Sequence, residues 1–307
     1  MKIYDFCPTD PEALAKEIEG TVIYRGSYED TAENKTVTVP EGTVEIAENA
    51  FRDFVHLSEL ILPKSLRRIS GAAFSGCKSL TRVKFSTGLT YIADEAFAFC
   101  SSLCEVKLPD TVEYIGEGAF EGAASLTSLT LSERLLHIGP AAFAFCFNLR
   151  DVTVPDSVAH IEFNAFASCF SLEGVRLSRS MQTIDESCFE GCRSLRYVDM
   201  PAGLISIGRR AFFGCESLDG LILPVTLRRI GLDAFSGCKA LRRIALPKDL
   251  FEIEDEEAFG GCDNLGEITY AGSRESWELL CHGKALVVVR SDLSCFTPKI
   301  ICLDIKL

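Results

Sequence analysis

The chain has 307 residues, room for one large domain or two smaller ones, and its 47% apolar content excludes general disorder. Its formal net charge of −13, from 44 acidic against 31 basic residues, argues against a nucleic-acid binder, which needs a basic footprint to displace phosphate counterions. Fourteen cysteines would mark a disulfide framework in a small secreted protein, but a chain this large and apolar needs no staples.

The opening stretch, MKIYDFCPTDPEALAKEIEG, is interrupted by charges and has no apolar run of signal-peptide length. No later run reaches the ~18 apolar residues that would span a bilayer, so no membrane span is expected. The expected compartment is the cytoplasm if this is the full chain, and the cell surface or exterior if a leader has been trimmed. Lys2 to Phe6 alternates like a short strand. Asp10 then offers an N-cap, Pro11 sits at the first helical position, Leu14 and Ile18 share a face, and Gly20 follows the last turn. Thr21 to Tyr24 reads as another strand. Residues 1–36 are expected to cover the exposed end of the array that follows.

From Val37 the chain repeats itself every 23 residues. A phenylalanine column runs from Phe51, Phe74 and Phe97 to Phe259; an isoleucine column runs from Ile46, Ile69 and Ile92 to Ile253 without substitution. A leucine column runs from Leu57, Leu80 and Leu103 to Leu265. Ten repeats are present, and only the last departs in length, with one extra residue in the acidic run Glu254 to Glu257. No single unit can bury its own apolar positions, but stacked units place like on like in one continuous core. The expected fold is a repeat solenoid over residues 37–270, with a C-terminal cap over residues 271–307.

Within each unit, Leu60 and Leu62 alternate as a strand does, and Pro63, or a serine in other repeats, ends it. Leu66, Ile69, Ala73, Phe74, Cys77 and Leu80 then follow at three- and four-residue steps, a helical spacing. The glycines and serines weaken a helical reading. Short strands and turns, with at most a helical turn or two near the Ala-Phe pair, are expected. The strands should form a parallel ladder about ten long, spaced about 4.8 Å.

The unit L-x-x-[VLI]-x-L-P-x-x-[LV]-x-x-I-x-x-x-A-F-x-G-C resembles the leucine-rich repeat of the BspA-like family. Leu57, Leu60 and Leu62 match its strand part, and Ala73, Phe74, Gly76 and Cys77 match the part peculiar to this subtype. Thr43 replaces the leucine, Phe54 and Ala123 replace the cysteine, and Cys188 replaces the alanine. The stretch from Ile268 to Trp277 is similar to the way such arrays finish, with a tyrosine strand and a tryptophan-bearing helix. The resemblance implies a leucine-rich solenoid, mostly bacterial or protozoan, often at the cell surface, associated with binding and adhesion rather than catalysis.

Cys77, Cys100, Cys146, Cys169, Cys192, Cys215, Cys238 and Cys262 share one column. Parallel side chains do not present the crossed geometry of a disulfide, and a straight row cannot converge on zinc. The column reads as buried, reduced thiols filling a tight space. His137 and His160 share another column with Tyr91 and Tyr114, an aromatic ladder that could serve as a binding surface but offers too few ligands for a metal. His56 and His282 have no motif around them. No nucleophile elbow, phosphate-cradling glycine loop or HExxH occurs, and paired carboxylates such as Asp255 and Glu256 fall on the inserted loop. No cofactor is expected. The outward strand positions vary while the core does not, and Arg82, Lys84, Lys107, Arg176, Tyr197 and Arg243 are the candidate binding residues on the concave face. The leading expectation is a non-catalytic scaffold binding a protein or glycan, with an adhesin or host-interaction protein as its narrower form. An enzyme with a site around Cys281, His282 and Cys295 is the alternative.

Overall fold

The computed structural model describes residues 20–33, 35–219, 221–254, 256–280, 288–289 and 295–303. The expected helix over Asp10 to Gly20, the strand at Lys2 to Phe6, Asp255, Cys281 and His282 therefore lie outside the described residues, apart from Gly20 itself. The chain coils with one 23-residue unit per turn, and every strand pairing between units is parallel and in register.

Two strand ladders arise in each turn where one was expected. The first carries the alternating leucines: Thr36–Thr38, Glu59–Ile61, Arg82–Lys84, Glu105–Lys107, Ser128–Thr130, Asp151–Thr153, Gly174–Arg176 and Tyr197–Asp199. It resumes at Arg243–Leu246 after an interruption at residues 221–223, where no strand forms and Ile222 is 85% exposed. The second ladder carries the isoleucine column in two-residue strands such as Tyr91–Ile92 and His137–Ile138. Its seven-stranded and four-stranded sheets run from Thr21–Ile23 to Glu252–Ile253. Thr21–Ile23, expected as a strand, adds itself in front of Thr43–Ile46 through a register irregularity.

A third row of bonds links the turns at the Ala-Phe pair. Phe51 N donates to Ala73 O at 2.7 Å, Phe74 N to Ala96 O at 2.8 Å, and Phe97 N to Ala119 O at 2.7 Å. No α-helix forms here; only the last repeat winds into a 3₁₀ turn at Glu256–Phe259. The reason lies in two left-handed residues per turn. Asn49, Ala72, Glu95, Ala141 and Asn164 hold one such column, with φ between 50° and 58°. In the other column Gly76, Gly122, Gly191, Gly214 and Gly237 take φ values of 68–77° without a side-chain penalty, while Asp53, Phe99, Phe145 and Ser168 adopt 58–62° and bear it. A right-handed helix cannot run through either position.

The apolar columns meet in a single core. Phenylalanine rings from Phe51 to Phe259 stack at centroid distances of 4.9–5.7 Å with nearly parallel planes, and all are fully buried. The eight column cysteines are unpaired and buried. Each thiol donates to the carbonyl of the phenylalanine in the preceding turn, as Cys77 to Phe51 O at 3.1 Å and Cys238 to Phe212 O at 3.3 Å. Cysteine thus supplies a small apolar body and a weak donor together. Where serine replaces the strand-ending proline, Ser132 and Ser178 accept from the backbone N–H two residues on, at 3.1 Å. Thr43 is buried with its hydroxyl unpartnered among the described residues.

At the far end, Glu267–Tyr270 leads to a helix at Arg274–Leu280 that buries Trp277, whose ring lies 5.6 Å from that of Tyr270. Lys299–Cys302 extends the first ladder in parallel beyond Glu267–Tyr270. Val288–Val289 and Cys295–Phe296 pair antiparallel.

Candidate functional site

Strand alternation turns Leu60, Val106, Val152, Val175 and Val198 into the core and their neighbours outward. The outward residues of the first ladder make one candidate surface. Arg82, Lys84 and Lys107 lie exposed on consecutive turns, and Arg82 approaches Glu59 at 3.6 Å. Arg176 sits three turns beyond Lys107, with its guanidinium 3.4 Å from Asp156. Tyr197 is 57% exposed beside Gly174, and Arg243 lies past the interrupted turn. The six candidates share a face but not one patch: Arg82, Lys84 and Lys107 stand on two neighbouring turns, Arg176 and Tyr197 on another paired two, and Arg243 apart from both.

The second ladder assembles a denser group. The rings of Tyr91 and Tyr114 stack at 4.4 Å with planes 1° apart, and Tyr114 stacks on His137 at 4.6 Å. His137 pairs in register with His160, and the Arg68 guanidinium covers Tyr91 at 4.1 Å. Each histidine also meets a carboxylate from the following turn. His137 Nε2 lies 3.4 Å from Glu162 Oε1, and His160 Nε2 lies 3.2 Å from Asp185 Oδ2. These carboxylates stand two residues along from the aromatic column, on the diagonal, so a search of the column itself passes over them. The only sequence signal is the acidic residue after isoleucine in Ile161-Glu162 and Ile184-Asp185.

Burial and neighbouring charge set the protonation of the group. Burial raises the Tyr114 phenol, and Tyr91 adds to it. Burial, then repulsion from His160, lowers His137 to about 4. Glu162, 3.4 Å away, does not reverse this, because burial raises its own carboxyl and both partners favour their neutral forms. The hydrogen bond to Asp185 raises His160 against the opposing effect of burial. Thr183 Oγ1 completes a hydroxyl–imidazole–carboxylate line at 3.5 Å from His160 Nδ1, too long to prime a nucleophile.

The two histidines therefore act oppositely on stability. Relative to an unfolded value of 6.5, the lowered His137 contributes fully above pH 6.5, and on the order of 3 kcal/mol is lost as pH falls through 4. The raised His160 contributes below 6.5, and that contribution is lost as pH rises through its folded value. Imidazole proton NMR is expected to show His137 titrating near 4 and His160 above the ordinary 6.5. Coincident titration at 6.5 would mean the two rings are not packed in this ladder.

Among the described residues, no group of three or more His, Cys, Asp or Glu is placed to hold a metal ion, and no helix is long and apolar enough to cross a membrane. His56 ties the first repeat to the preceding segment, with Nδ1 3.2 Å from Asp30. Of Cys281, His282 and Cys295, only the backbone of Cys295 is described.

The repeat unit matches the BspA-type leucine-rich repeat region over residues 21–150, 113–219 and 182–279, in six copies of the family model. The chain belongs to the BspA-type leucine-rich repeat family. Among solved structures it is similar to a leucine-rich cell surface protein from Faecalibacterium prausnitzii, at 25% identity and a TM-score of 0.51, covering 80% of this chain and 81% of that one. It is also similar to a leucine-rich repeat protein from Bacteroides ovatus, at 20% identity and a TM-score of 0.54, covering 89% and 93%. No curated protein matches the sequence. The BspA-type family is one of repeat scaffolds generally without catalysis, and membership makes binding the coarse function of the chain.

Proposed function

We propose that this chain is a non-catalytic scaffold that recognises a protein or glycan along the outward face of the first ladder. The observation that carries the reading is the contrast between columns. The core columns repeat almost unchanged, while the outward positions of the same strands change from turn to turn, as with Ile61, Lys84, Lys107 and Thr130. An extended face with individual side chains on a uniform frame is the form in which solenoids present binding surfaces. The narrower reading, a surface adhesin, is supported by likeness to a leucine-rich cell surface protein at 25% identity.

The test compares wild type with a triple variant, Arg82→Ala, Lys84→Ala and Lys107→Ala, on a printed glycan array and a panel of purified matrix and soluble proteins. All three residues are exposed, so thermal stability should be unchanged. A ligand bound by wild type and about tenfold more weakly by the variant supports the face. Ligands bound equally by both proteins would move recognition elsewhere.

A further inference from the structure

The second ladder presents an unpartnered sheet face on the turns that carry Tyr91, Tyr114, His137 and His160. Its ring faces are already used. Tyr91 is covered by Arg68 on one side and Tyr114 on the other, and His137 follows at 4.6 Å from Tyr114. No sugar ring or aromatic side chain can slip between them, Tyr91 itself is buried and both imidazoles meet carboxylates, so what lies open beside the rings is the exposed pair Asp94 and Glu117.

Those carboxylates are concentrated, and histidine is the only basic partner that any of them has among the described residues. Glu95 and Glu117 raise the carboxyl of Glu121, after burial; burial raises that of Glu162, His160 opposes it, and Asp185, Glu117 and Asp94 add to it. Among the described residues, no lysine or arginine pairs with Asp94, Glu95, Glu117, Glu121, Glu162 or Asp185. The turns on either side behave differently. Glu45 meets Arg68, Glu186 meets Arg209, Glu190 meets Arg210, and Glu252 and Glu254 both meet Arg229. In the middle only Glu113, which meets Arg134 at 2.7 Å, has such a partner among the described residues, and the carboxylates of Asp94, Glu117 and Glu162 are left without one.

Apolar side chains interleave with the charges there. Phe163, 46% exposed, and Pro140 occupy the same column as Asp94 and Glu117, and Leu136, 42% exposed, directly precedes His137. We propose that this face docks a cationic segment of a protein partner, its arginine or lysine side chains meeting Asp94, Glu117 and Glu162 and its apolar residues meeting Leu136 and Phe163. Charge complementarity selects this occupant, which must supply the cations that the flanking turns supply internally and must cover exposed leucine and phenylalanine. A divalent ion is the wrong occupant, because no trio of ligands converges among the described residues. The surface is separate from the first ladder, so the two can succeed or fail independently.

The experiment measures fluorescence anisotropy of a short labelled peptide alternating arginine and leucine, with a glutamate-for-arginine peptide as control, at physiological salt. Binding of the arginine peptide alone is expected. Asp94→Asn with Glu117→Gln should weaken it about tenfold; Asn at 94 keeps an oxygen to accept from Glu117 N, as Asp94 does at 2.9 Å. Phe163→Ala should weaken it at fixed net charge, which general attraction to an acidic protein would not do. The Arg82, Lys84 and Lys107 triple variant should bind unchanged. Absence of binding at physiological salt, equal loss on neutralising the remote Asp110 and Glu133, indifference to Phe163→Ala, or displacement of the peptide by calcium each overturns the proposal.

Discussion

Replacing Phe143 with alanine is expected to lower the free energy of unfolding by about 3–5 kcal/mol, measured by urea denaturation. Phe143 is fully buried near the middle of the ring stack, 5.3 Å from both Phe120 and Phe166 with planes 1° and 7° apart. Removing its ring takes away two stacking partners at once and opens a cavity that neighbouring rings, held in register by backbone bonds, cannot close. Phe143 N donates to Ala165 O at 2.8 Å, so the backbone cannot sink into the void without breaking the row that joins the turns. In a solenoid each turn is stabilised only by its neighbours, so damage in the centre weakens both halves. A loss below about 1 kcal/mol would mean that the column is not the packed centre of the core.

The second large effect concerns a glycine chosen for space rather than for backbone angle. A β-carbon on Gly139 would lie 2.7 Å from the carbonyl carbon of Gly116 and 2.8 Å from the amide nitrogen of Glu117, both backbone atoms. At this corner after the second ladder successive turns approach closely, and Gly139→Ala must push one turn from the next. Overpacking of this kind costs about 1–3 kcal/mol, and here the rigid neighbour places it at the upper end. Gly203 provides the contrast, since nothing lies within 4 Å of a β-carbon there. Gly203→Ala is expected to be neutral or slightly stabilising. Equal effects at the two glycines, read from the melting temperature, would contradict the close approach at the corner.

What the sequence made legible was set by period. The phenylalanine, isoleucine, leucine and cysteine columns stand out at 23-residue spacing, and the structure buries all of them. The second ladder was not legible, because a two-residue strand such as Arg68–Ile69 is too short to show alternation. The three- and four-residue steps from Leu66 to Leu80 imitate a helix. In fact they record a short strand followed by a turn with left-handed residues at Ala72 and Gly76. The aromatic column could be read because Tyr91, Tyr114, His137 and His160 repeat in phase. Glu162 and Asp185 could not, since they reach their histidines diagonally from the next turn. Nor does spacing alone reveal that stacking at 4.4 Å closes the ring faces to a ligand. Sequence distance also hid how far apart the first-face candidates are, because Arg176 and Arg243 share a face with Lys84 without adjoining it.

Every assignment of a side chain to the core or to a face depends on the 23-residue register. The buried cysteines report on it over most of the array. Cys77, Cys100, Cys146, Cys169, Cys188, Cys192, Cys215, Cys238 and Cys262 are buried and unpaired, whereas Cys104 is exposed and Cys302 is half-buried. Burial also raises the Cys146 and Cys262 thiols to about 12, which suppresses the reactive thiolate. Thiol labelling under native conditions and again in denaturant, with peptide mapping to assign each site, measures the register directly. The register predicts rapid native labelling at Cys104 and slow labelling at the nine buried positions, with all of them reacting once the chain is unfolded. Rapid native labelling along the cysteine column, or disulfides that withstand denaturant, would contradict it.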